Sequence, residues 1–125
     1  MEQINTNNAP AAVGPYSQAV KAGNLIYTSG QLPIDPSTGK IESPDIAGQT
    51  EQAIQNIQAI LEASGSSLDN VIKTNCYLKN ISDFQNFNEV YAKHFIGKPA
   101  RSCVEVSNLP KGALLEIDVI AESKR

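Results

Sequence analysis

The chain has no tryptophan, three phenylalanines, one histidine and two cysteines. Each shortage excludes something. Two cysteines, Cys76 and Cys103, are too few for a disulfide scaffold. The start, Met1-Glu2-Gln3-Ile4-Asn5, lacks a basic region followed by an apolar core, so the thiols are expected to stay reduced in a cytoplasmic protein. One histidine and two distant cysteines give no CxxC or HExxH spacing, and no metal is expected. Nowhere do apolar residues continue for the ~20 positions that cross a bilayer, so no membrane contact is expected. The glycines form neither GxGxxG nor GxxxxGKS/T, leaving no usual cradle for a dinucleotide or a nucleoside triphosphate. Any chemistry is expected to run without a cofactor. Basic charge is also scarce: the formal net charge is -3 and the pI about 5.0, which disfavours nucleic acid as a partner.

What is present suits one domain over residues 1–125. The 41% hydrophobic content of such a chain can bury roughly two-thirds of its unfolded surface. Residues 17–21 and 25–29 read as two short strands joined by the turn Ala22-Gly23-Asn24. Residues 31–44 carry Pro33, Pro36, Gly39 and Pro44 and read as a surface loop. Asp45 should begin a helix in which Ile54, Ile57 and Leu61 share a face, glutamines fill the other, and Gly65 supplies the stop. Residues 71–78 read as a third strand with Ile72, Cys76 and Leu78 on one side. Ser82-Asp83-Phe84-Gln85 then resembles a capping box, ahead of a helix striped by Phe84, Phe87, Tyr91 and Phe95.

The last segment is the richest. Lys98 to Val106 and Leu114 to Ile120, separated by a Pro-Gly turn signal, read as a β-hairpin. Period-two alternation puts Arg101, Cys103 and Glu105 on one face of the first arm. On the second arm Leu114, Glu116, Asp118 and Ile120 alternate with Leu115, Ile117, Val119 and Ala121. A planar guanidinium near a carboxylate can capture a small anion beside a group that organises water. The expected architecture is therefore α+β: a mixed sheet, in the order ββαβαββ, with both helices on one face. Its other face, taken as apolar, would be covered by another subunit.

Four blocks then carry a resemblance: residues 8–18 (Asn-Ala-Pro-Ala-Ala-Val-Gly-Pro-Tyr-Ser-Gln), Thr28-Ser29-Gly30-Gln31, Phe84-Gln85-Asn86-Phe87-Asn88, and residues 99–106 with Leu115-Glu116-Ile117. From about Asn8 to Ala121 the chain resembles the Rid (YjgF) family of enamine/imine deaminases, and most closely its RidA subgroup. A short stretch between Phe95 and Pro99 departs from some relatives and bears on the loop there. The resemblance implies a homotrimer of chorismate-mutase-like subunits around a central sheet barrel, with sites between subunits. It further implies cofactor-independent hydrolysis of 2-aminoacrylate, 2-aminocrotonate or their imine tautomers to 2-keto acids and ammonia, sparing pyridoxal-phosphate enzymes. By motif position, Arg101 would clamp the substrate carboxylate. Glu116, with a backbone carbonyl near Cys103, would position water and handle protons. Tyr16, Ser29 and Cys103 would line the pocket, Gly30 would let a backbone amide approach the ligand, and Asn88 would complete the rim. The half of the site bearing Tyr16 or Asn88 is expected from the next subunit.

Each residue has a plainer reading. An arginine on a strand of an oligomer ordinarily forms an inter-subunit ion pair. Cys103 is a nucleophile only if His94 reaches it; otherwise it is a pocket-lining thiol, with Cys76 a small core residue and His94 a helix-end group. Tyr16 could simply cap the core beside a Gly-Pro turn. Glu116 resists dismissal, because an unpaired carboxylate among apolar strand residues is costly. Two other functions remain open at this level: a trimer that senses 2-keto acids without turnover, and an endoribonuclease or translation inhibitor.

Overall fold

The computed structural model describes residues 1–124. Its elements are β1 (Glu2–Ile4), β2 (Ala19–Ala22), β3 (Leu25–Thr28), α1 (Ile46–Ala63), β4 (Val71–Leu78), α2 (Phe84–His94), β5 (Ala100–Glu105) and β6 (Leu115–Glu122). The expected ββαβαββ series is present, preceded by the unforeseen β1, whose three residues carry too little pattern to stand out. One six-stranded sheet runs β1-β2-β3-β6-β4-β5, with β4 and β5 parallel and every other pair antiparallel.

The hairpin expected from residues 98–120 does not form. β5 and β6 are separated by β4, which pairs with both. The reason is topological: α2 lies between β4 and β5, and a helical crossover joins parallel strands. The connection from β5 to β6 is also longer than the two to five residues of a tight hairpin loop.

Both helices pack on one face. Asp45 caps α1 by accepting from Gly48 N at 2.9 Å. The helix ends where Gly65 (φ 80°) adopts a left-handed turn and Ser66 N returns to Leu61 O at 2.9 Å. Ile54, Ile57, Ile60 and Leu61 are fully buried against Leu115, Ile117 and Val119 of β6 and Phe87 of α2. The glutamine face of α1 is less solvated than its composition suggests. Gln49 is buried and accepts from Leu114 N at 2.9 Å, while buried Asn56 donates to Leu32 O (3.1 Å) and Ile34 O (2.9 Å), fastening the loop of residues 31–44.

Two local readings change. A bulge between Val71 and Lys73 shifts the register, so Ile72 turns to solvent while Thr74, Cys76 and Leu78 stay buried. The capping box is absent: residues 81–83 form a 3-10 turn, and Asp83 makes no side-chain cap bond. Instead Glu105 accepts from Ile81 N at 2.8 Å, tying the turn ahead of α2 to β5.

The sheet face away from the helices is not uniformly apolar. Tyr27, Val104 and Ile120 share it with Lys73, Asn75, Tyr77, Ser102, Glu116 and Asp118, because β6 buries Leu115, Ile117, Val119 and Ala121 and turns the alternate residues outward.

Candidate active site

Arg101 is placed by its register. In the parallel pair Thr74 lies opposite Arg101 and Cys76 opposite Cys103, so both β5 side chains project to the helix side, where α2 awaits them. The aromatic stripe of α2 forms a shelf there: the guanidinium carbon is 4.8 Å from the Tyr91 ring centre, 5.4 Å from Phe84 and 6.0 Å from Phe87. Such stacking restrains the guanidinium while leaving its edge free to donate. Tyr91 is itself fixed by a 2.8 Å hydrogen bond to Thr74 Oγ1. Asn88 accepts from Arg101 Nη1 at 2.7 Å. Among the described residues no carboxylate lies within 4.0 Å of Arg101, the sole ion pair being His94 with Glu51. A cleft of about 540 Å³ opens beside it, walled by Asn88, Tyr91, Ile96, Lys98 and Pro99. Lys98 holds φ 54° directly before Pro99, an unusual backbone for a pre-proline residue, in the short stretch noted above.

Glu116 stands elsewhere. It faces the open side of the sheet, opposite Tyr77 in register, and joins Tyr16, Ser29, Gly30 and Lys111 in a larger cleft of about 710 Å³ with mostly apolar walls. Gly30 lies directly beneath the Glu116 side chain: a Cβ on it would collide with the carboxylate unless that side chain moved. Ser29 donates to Ser17 O at 2.6 Å, holding the two sides of this cleft together. Burial, reinforced by the neighbouring Asp118 charge, pushes the Glu116 carboxyl above its ordinary value. A carboxyl so placed exchanges a proton nearer neutrality than an exposed one.

Arg101 and Glu116 are thus not brought together within one chain. Arg101 is level with Val119 and Glu116 with Val104, three residues apart along the sheet and two strands across. At sheet spacings that separates their Cα atoms by roughly 14 Å, with side chains on opposite faces. Asn88 sits with Arg101 in the same chain, so Asn88 does not belong to the half that Tyr16 builds. The candidate residues fall into two groups: Arg101, Asn88 and Cys103 on the helix side, and Tyr16, Ser29, Gly30 and Glu116 on the other.

Cys103 is half-buried, and burial raises its thiol above the ordinary value despite the nearby Arg101. Cys76, in the core, is pushed up to about 12 by burial. Neither is an activated thiolate. His94 ends α2, its Nε2 2.8 Å from Glu51 Oε1, and so serves the α1–α2 contact. The sequence reading missed the shelf beneath Arg101, although the stripe at 84, 87 and 91 was visible, and it gave no role to Gln18. That buried amide accepts from Thr6 N (2.7 Å) and donates to Thr6 O (3.0 Å) and Pro10 O (2.8 Å), fixing the segment that leads to Tyr16.

Known proteins share this arrangement of chain. The model of the endoribonuclease L-PSP family matches residues 6–123. The chain belongs to the Rid family. Among Rid relatives, a RutC family protein of Pyrococcus horikoshii is 58% identical over 121 residues, 96% of each chain. The 2-iminobutanoate/2-iminopropanoate deaminase of Escherichia coli strain K12 is 46% identical over 122 residues, 94% of each chain. The crystal structure of E. coli TdcF with bound serine superposes with a TM-score of 0.94 at 40% identity, covering 99% of this chain and 100% of that one. The Rid fold expected from the four sequence blocks is therefore the fold observed.

Proposed function

We propose that this Rid protein hydrolyses small 2-imino acids, and their 2-enamino tautomers, to 2-keto acids and ammonia. The observation that carries the reading is Arg101: half-buried, stacked on aromatic rings, held by one neutral acceptor and without a carboxylate partner among the described residues. A guanidinium so prepared favours a planar carboxylate, which it can bind through two parallel hydrogen bonds. The 46% identity to a relative named as an imine deaminase supports the same choice.

Because the two half-sites lie on opposite faces of one sheet, the active site is composed of two subunits, with Arg101, Asn88 and Cys103 from one and Tyr16, Ser29, Gly30 and Glu116 from the next. A homotrimer with the open sheet faces turned inward satisfies this and covers Tyr27, Ile120 and Val104. In the reaction, water oxygen bonds to the imine carbon while the protonated Glu116 gives its proton to the imine nitrogen. The resulting carboxylate takes the proton that the added water releases. Expulsion of ammonia then follows, with the hydroxyl proton passing through Glu116 to the departing nitrogen, giving the keto acid. Such acid–base help is worth about 10²–10⁴-fold. The chemistry uses only protons and water, and the cytoplasm is the compartment proposed for it.

The decisive assay adds the full chain to a threonine dehydratase reaction with a semicarbazide trap and follows keto-acid release. Acceleration by the unmodified chain and its loss in Arg101→Ala are expected; equal rates would defeat the proposal. Sedimentation at a mass near one chain would defeat the composite site. RNA cleavage, suggested by the family's L-PSP description, has little support in a chain of net charge -3.

A further inference from the structure

Three side chains on the open face form a connected group beside Glu116. Asp118 follows Glu116 by two residues on β6, so the two carboxyls share a face as nearest neighbours along the strand. Asn75, the register partner of Asp118 on β4, donates from Nδ2 to Asp118 Oδ1 at 2.8 Å. Tyr77, the register partner of Glu116, leans along the sheet and donates its hydroxyl to Asp118 Oδ2 at 3.1 Å. Both oxygens of Asp118 therefore accept, which is the bonding pattern of a carboxylate. Tyr77 spends its hydroxyl proton on Asp118, although Glu116 is the residue it faces.

We infer that Asp118, clamped by Asn75 and Tyr77, is a positioning residue that holds a second carboxylate on the same face beside Glu116 and so favours the form of Glu116 that can donate to the departing nitrogen. The inference rests on the deaminase reading for its purpose, but the coupling of the two carboxyls stands without it. The other groups around Glu116 do not cancel the effect. Tyr16 and Lys111 line the same cleft, yet Lys111 forms no ion pair with Glu116 among the described residues. Lys73, on the same face, donates to Ser102 Oγ at 3.2 Å. Within the chain, burial of Glu116 works in the same direction as Asp118, and no cation pairs with Glu116 among the described residues. The Arg101 that the composite site brings from the next subunit is taken up by the substrate carboxylate. A like charge held one same-face step along the strand, about 7 Å away, disfavours a second ionisation.

The test is a carboxyl NMR titration of the intact protein, with Glu116 assigned by its loss in Glu116→Gln. In Asp118→Asn the Glu116 midpoint should move to lower pH, and the limb of the pH–rate profile that follows Glu116 should move with it. Asp118→Glu, which keeps the charge, should restore both. Tyr77→Phe removes one donor but leaves the charge, so its midpoint should stay raised; a fall like that of Asp118→Asn would mean that disruption of the face, not charge, was responsible. A purely structural Asp118 would lower activity evenly across pH and leave the Glu116 midpoint in place, which would overturn the inference. If the chain shows no imine hydrolysis, the function fails while the titration still decides whether Asp118 controls Glu116.

Discussion

Gly30→Ala isolates the placement of one carboxylate. The added methyl would lie 2.6 Å from Glu116 Cδ and 3.0 Å from Cγ, and closer still to Oε2. Glu116 is the flexible partner, so the side chain and not the strand must yield. Turning it into an off-rotamer position costs about 0.5–1.5 kcal/mol, a modest fraction of a domain's stability. The catalytic cost is larger, because a displaced carboxyl forfeits the ~10²–10⁴-fold contribution of a positioned acid–base. Gly30→Ala should therefore keep its melting temperature within a few degrees of the parent while kcat for imine hydrolysis falls by roughly 10²-fold or more. Chemical denaturation and the trapped keto-acid assay measure the two quantities on the same preparation. Full activity in Gly30→Ala, with an unchanged pH profile, would refute the assignment of Glu116 to the reaction. Equal loss of stability and activity would show that the glycine serves only the sheet.

Arg101→Lys keeps a cation above the Tyr91 ring but gives up the planar pair of donors. With each charge-assisted hydrogen bond worth about 1.5–3 kcal/mol, kcat/KM should drop at least ~10-fold, less than in Arg101→Ala. Glu116 also leaves a mark on stability. Its carboxyl is raised in the fold, so the native state binds more protons than the unfolded chain, and stability falls as pH rises from the ordinary value of 4.5 through the raised one. Glu116→Gln should remove that loss, matching the parent below 4.5 and exceeding it at neutral pH in denaturant titrations. Cys103 should react slowly with iodoacetamide at neutral pH, because burial raises its thiol, and Cys103→Ser should retain activity to within about tenfold. Gln18→Ala should cost about 1–3 kcal/mol in urea unfolding, since it strands the buried Ala9 carbonyl and the partly buried backbone groups of Thr6 and Pro10.

Much of the fold follows from local pattern. The repeat of Ile54, Ile57 and Leu61, the Asp45 cap and the Gly65 stop define α1, and Gly23 at φ 62° makes the tight turn between β2 and β3. Alternation along residues 115–121 is equally plain: four apolar residues must face the core, so Glu116 and Asp118 must face away. The four blocks carry the family resemblance, and the candidate site residues follow from that resemblance by motif position.

The relation between those residues was decided by tertiary structure. β5 is an edge strand whose two faces, Arg101-Cys103-Glu105 and Ser102-Val104, are similarly mixed, so alternation could not say which one meets the helices. That choice was made by its parallel register with β4, through Cys76 and Cys103, and by the aromatic shelf that α2 offers the guanidinium. Two segments adjacent in sequence therefore became non-neighbours in the sheet, and Arg101 and Glu116 parted to opposite faces. Period-two alternation fixes a side chain's face relative to its own strand; only the pairing of distant strands fixes that face relative to the rest of the molecule.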